Sequence, residues 1–135
     1  MNRAFELHDS SIKLVIPDGV NTTIELEPAY LHESEGIPGS DPGEGYLQNI
    51  HIQLSDSHIH SAVLDLPARI NEGSILLSGK RCDNIVNLPL IHVGNIEIDI
   101  RTEKGEHLNV TAKRVVAVLI GERQHLEKFN HGSDS

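Results

Sequence analysis

His58 and His60 stand two residues apart. In a strand that spacing projects both imidazoles from one face, where they can reach a single metal ion. His51 lies on the preceding strand, and register decides whether it joins them. Zinc takes about three or four protein ligands, and this pair supplies only two. The plainer alternative is two surface histidines at a strand end.

A second group surrounds a Gly/Pro-rich segment. His32, Glu33, Glu35, Asp41 and Glu44 lie within or beside residues 32–45, and His8-Asp9 can approach them in space. Hard cations such as calcium take about six to eight oxygen ligands, and a carboxylate-dense loop can provide several. However, Asp41-Pro42-Gly43-Glu44 lacks the D-x-D alternation of a calcium loop. The candidate ligand-binding residues are therefore His8, Asp9, His32, Glu35, Asp41 and Glu44. The metal, if any, stays open, and no cofactor is called for. No catalytic residue is assigned, since an acid–base pair such as Asp9 with Glu35 has no support from spacing.

Arg81-Cys82-Asp83-Asn84 holds the only cysteine. Arg81 would favour a thiolate and Asp83 would oppose it, so the plain reading is a small half-buried residue beside a turn. The glycines match neither G-x-x-x-x-G-K-[ST] nor G-x-G-x-x-G, and no serine sits in a G-x-S-x-G elbow.

These side chains need a scaffold, and the dominant pattern is period-two alternation in short runs. Ile96, Ile98 and Ile100 point one way, while Glu97, Asp99 and Arg101 point the other. The pattern therefore buries Ile98 and leaves Asp99 in water. Leu108, Val110 and Ala112 repeat the alternation after a Lys104-Gly105 turn. Ile12, Leu14 and Ile16 lead into the turn Pro17-Asp18-Gly19, and a strand resumes at Thr22–Leu26. Tyr46, Gln48, Ile50, Ile52 and Leu54 share a face. Asp56-Ser57 and Asn71-Glu72-Gly73 read as further turns. The runs 85–93 and 115–120 are apolar on both faces, which places them centrally or against both layers.

The expected fold is all-β: a mainly antiparallel sandwich or flattened barrel of about nine or ten strands. Glu122–Asn130 has room for a short C-terminal helix, with Leu126 and Phe129 at i, i+3. Residues 1–130 form a single β domain and 131–135 a polar tail. The segment Gly36–Gly45 is the longest loop, and long loops on rigid β scaffolds often carry function.

The opening Phe5-Glu6-Leu7-His8-Asp9-Ser10, followed by strand, turn and strand through Leu26, resembles the start of several small bacterial all-β families, some assigned as toxin-immunity proteins. The resemblance implies a bacterial cytoplasmic β domain and carries over no catalytic residue. An acidic chain is compatible with an immunity protein, which often neutralises a basic toxin.

Composition narrows the partners. The 135 residues fit one domain and carry a formal charge of −9. An acidic surface repels phosphate backbones and anionic membranes, so nucleic acid and membrane are not expected partners. Two Phe, two Tyr and no Trp leave little aromatic surface for stacking bases or sugars. Protonating all nine histidines would cancel the net charge, so solubility should fall in mildly acidic buffer. A lone cysteine, no signal peptide and no long apolar run point to a cytoplasmic protein.

Two functional readings follow. The first is a non-enzymatic binding or interaction protein that holds a protein partner, or a second copy of itself, by an edge strand or the 32–45 loop. The alternative is a small-molecule or metal-dependent enzyme beside residues 32–45, favoured if His8 or His32 shares a polar pocket there with two carboxylates.

Overall fold

The computed structural model describes residues 1–130; the polar tail 131–135 lies outside them. Ten strands follow one another: β1 (Asn2–Glu6), β2 (Ser11–Asp18), β3 (Asn21–Ser34), β4 (Gly43–Ser55), β5 (His58–Val63), β6 (Ala68–Leu77), β7 (Lys80–Asp83), β8 (Ile85–Leu88), β9 (Ile91–Thr102) and β10 (His107–Phe129). All pair antiparallel in one sheet, eight of them in the order β2-β6-β9-β10-β4-β3-β1-β8, with β5 paired to β10 and β7 to β6. β2 also pairs with β3, so the path β2-β6-β9-β10-β4-β3 returns on itself.

The ring follows from the alternation. Ile24, Leu26, Ile50, Ile52, Ile75, Ile98, Ile100, Leu108 and Val110 all belong to one buried cluster, while the residues between them stay half-buried or exposed. Ile98 stands opposite Ile75 on β6 and Val110 on β10. β4 and β5 both run along β10, so they act as one long strand kinked at Asp56, whose φ is 49°. Beyond the ring, the far halves of β3 and β4, with β1, β8 and the end of β10, extend the sheet. That extension holds the site described below.

The Lys104-Gly105 hairpin forms as expected, with Gly105 at φ 79°. Several other expectations are corrected. Glu122–Asn130 is not a helix: β10 runs to Phe129 and pairs with β4 as far as Gly43. A free strand edge offers these residues inter-strand hydrogen bonds, and that pairing overrides a weak local helix pattern. Asn71-Glu72-Gly73 is not a hairpin turn. β6 continues through it with a register shift between Ile70 and Glu72, and the chain reverses at Ser78-Gly79, both with positive φ. The 85–93 run is not central. β8 is an edge strand, and Ile91 and Val93 are 65% and 73% exposed. The Gly/Pro loop is shorter than its composition suggests, because Gly43–Gly45 already belong to β4.

Asp99 faces outward, as the alternation requires, but does not stand free in water. It is half-buried, hydrogen-bonded by the His107 imidazole, and accepts from Asn109 Nδ2 at 3.0 Å. Burial would raise its pKa, but the hydrogen bonds of Asn109 and His107 outweigh that and hold it below the usual carboxylate range.

Candidate functional site

The Leu7-His8-Asp9-Ser10 turn is tied down at every residue. Leu7 N–H donates to the Asn84 carbonyl at 2.8 Å, and His8 N–H to Asn84 Oδ1 at 2.7 Å. His8 Nδ1 lies 2.6 Å from the Asn71 carbonyl oxygen. Asp9 adopts φ 71°, a left-handed conformation that Asp tolerates better than most residues. Its carboxylate takes a 2.9 Å hydrogen bond from Arg69. Ser10 is fully buried; its hydroxyl donates to the Glu6 carbonyl and accepts from Tyr30 N–H at 3.0 Å. The turn is thereby fastened to β3.

Register then builds a pocket. Glu6 pairs with Tyr30 and Ala4 with His32, so Tyr30 and His32 rise beside the turn on the same face of β3. Across β4, Gly45 stands between His32 on β3 and Glu127 on β10. With no side chain there, the Tyr30 hydroxyl passes over β4 and donates to Glu127; a Cβ at 45 would lie 2.5 Å from that oxygen. The result is a cavity of about 250 Å³ lined by Glu6, His8, Asp9, Tyr30, His32, Glu127 and Phe129.

The lining is polar and negative. Glu6 accepts from Asn84 Nδ2 at 3.1 Å, and Asp9 is answered by Arg69 and by His8 at 3.4 Å. Burial, then the hydrogen bond to Glu127, raises the Tyr30 pKa, so the phenol remains a neutral donor. His32 is 3% exposed, and its ring packs between Tyr30 and Phe129 at centroid distances of 4.9 and 5.6 Å. Its Nε2 is buried and, among the described residues, makes no hydrogen bond; the nearest carboxylate oxygen, on Glu6, is 3.7 Å away.

Three of the six sequence candidates, His8, Asp9 and His32, thus line one pocket. Glu35 is exposed on the adjoining loop. Asp41 folds into its own loop and accepts from Ile37 N–H at 2.6 Å. Glu44 accepts from the Tyr46 hydroxyl at 2.9 Å. Neither of these last two lines the pocket. Sequence reading missed Glu6, Tyr30, Glu127 and Phe129. Only Glu6 carried a signal, its place in the same short run as His8-Asp9.

His51 does not join His58 and His60. Those two rings touch each other, 4.6 Å between centroids, and His60 bonds the Thr111 hydroxyl at 2.8 Å. His51 instead faces Glu25 at 3.6 Å and Glu27 at 3.3 Å, on the opposing strand. Among the described residues this trio alone gathers three potential metal donors within 4.8 Å of one another. Glu27 also pairs with Lys13 at 3.3 Å. The His51 hydrogen bond is the main cause of a lowered Glu27 pKa, so the group is coherent as an outward-facing charge network without an ion. Near Cys82, Arg81 donates to Asp83 at 2.6 Å, and the thiol is half-buried against the core.

No family model matches this chain, and neither a curated protein nor a solved structure does.

Proposed function

We propose that this chain is a non-enzymatic binding protein whose site is the pocket between the Leu7–Ser10 turn, β3 and the end of β10. One observation carries the reading: His32 keeps a buried, unpartnered Nε2 at the pocket lining. Leaving such an atom unsatisfied costs about 1–3 kcal/mol, and a ligand that hydrogen-bonds it would recover that cost. Binding is favoured over catalysis by what surrounds the imidazole. The buried Ser10 hydroxyl is committed to the Glu6 carbonyl and the Tyr30 amide, and Tyr30 is held as a neutral donor. Neither is a free nucleophile. We read the ring of six strands as a flattened barrel that holds the turn rigid from below.

A fragment screen followed by NMR at His32 and Phe129 tests the reading. Small polar ligands should shift both rings, and His32→Phe should abolish the shifts in a folded protein. Hits that leave both rings unmoved would refute it.

Two other readings keep a specific support. An enzyme at the same pocket is favoured by the imidazole and carboxylates of His32 and Glu6, and turnover of a bound fragment would reveal it. Docking of a protein partner or a second copy is favoured by exposed apolar side chains at Val63, Ile91 and Val93 on strands β5 and β9. Concentration-dependent association abolished by Val93→Asp would support that reading.

A further inference from the structure

We propose that this pocket selects a small organic cation, an ammonium or guanidinium group on a short apolar stem. The inference rests on the pocket being a binding site, and it concerns only the class of ligand.

Charge balance points that way. Among the described residues, three carboxylates line the cavity, those of Glu6, Asp9 and Glu127, and no Lys or Arg side chain lines it. Asp9 is neutralised from outside by Arg69. Glu6 and Glu127 are not: among the described residues their close partners are the neutral Asn84 amide and the neutral Tyr30 hydroxyl, and the one ion-pair contact of either is Glu6 with His32 at 3.7 Å. Arg123, the nearest guanidinium in sequence to Glu127, is held elsewhere. It pairs with Glu33 and lies 4.1 Å over the Tyr46 ring. Two carboxylates with neutral donors but no cation form a site that a positive ligand completes, while an anion would be repelled.

The donor geometry agrees. A gap of 3.7 Å between His32 Nε2 and Glu6 Oε2 is too long for a direct hydrogen bond. One N–H-rich group set beside both can donate to an unprotonated Nε2 and to the carboxylate together. Tyr30 and Phe129, which line the same cavity, add aromatic surface for the apolar stem. Size sets the limit. About 250 Å³ corresponds to roughly eight water volumes, below the usual range for drug-sized ligands, so a small amine fits within it.

The test uses the full chain and four matched probes: butylammonium, butylguanidinium, 1-butanol and butyrate. Binding is read by calorimetry and by His32 and Phe129 resonances. The expected result is binding of both cations, at least tenfold tighter than butanol, with no response to butyrate. Glu6→Gln and Glu127→Gln should each weaken the cations tenfold or more. Glu122→Gln, an exposed site with the same change in net charge, should not. Equal binding of butanol and the cations, or cation binding indifferent to both Gln substitutions, would overturn the cation assignment while leaving the pocket as a site. If none of the four probes moves His32 or Phe129, the cation assignment fails. Whether the pocket reading falls with it is decided separately by the fragment screen.

Discussion

Replacing His32 with phenylalanine should stabilise the unliganded protein. The imidazole stacks on Phe129 and packs at a tilt against Tyr30, and a phenyl ring keeps both contacts. What it removes is a buried nitrogen with no hydrogen bond. An unsatisfied buried group costs about 1–3 kcal/mol. The larger ring returns part of that through crowding, although the cavity alongside leaves room, so a net gain of about 1–2 kcal/mol is expected. Unfolding entropy of about 2.1 cal/mol/K per residue gives roughly 0.28 kcal/mol/K for this chain, and the gain becomes a rise in Tm of about 4–7 °C. Calorimetric melts without added ligand, checked by urea titration, would measure it. His32→Ala provides the contrast, because it removes the packing as well and should lower Tm. If His32→Phe lowers Tm as far as His32→Ala, then Nε2 is satisfied in the native state and the reasoning fails.

Four further outcomes follow from the fold. Ile98→Ala should cost about 2–5 kcal/mol in urea melts, because Ile98 is fully buried between Ile75 and Val110. Asp99→Asn should cost about 1 kcal/mol through its hydrogen bonds to His107 and Asn109; no measurable loss would mean that this outward network adds nothing. The carboxyls of Asp99 and Glu27 are both held below their ordinary range in the folded protein, so the unfolded chain binds more protons as pH falls. Stability from these groups should be complete above about pH 5 and decline below it, and His51→Ala should flatten that decline; an unchanged slope would sink the assignment to Glu27. Gly45→Ala should displace Tyr30 from Glu127 and weaken any pocket ligand while leaving the ring core folded, as judged by Tyr30 resonances and circular dichroism.

Much of the fold was legible because one buried face imposes period two on a strand. Ile96–Ile100 and Leu108–Ala112 could be assigned from alternation alone, and Lys104-Gly105 between them from turn chemistry. The same logic failed where pairing partners outweighed local pattern. Leu126 and Phe129 sit at helical spacing, yet β4 offers this segment a strand edge. Asn71-Glu72-Gly73 has turn composition, yet β9 pairs across it and absorbs the extra residue as a register shift.

The site divides in the same way. Residue type alone singled out His8, Asp9 and His32 as candidates for ligand binding, since imidazoles and carboxylates near one another can hold a ligand. It could not separate them from Glu35, Asp41 and Glu44, whose side chains are turned to solvent, to a loop amide and to a tyrosine hydroxyl. Nor could it bring in Glu127, which lies 97 residues from the tyrosine that binds it. Local sequence determines which face of a strand each side chain occupies, because that depends only on alternation. Which faces meet depends on the register of β1, β3, β4 and β10, and on the space left at Gly45. Those are set by long-range pairing, so the pocket exists only in the tertiary structure.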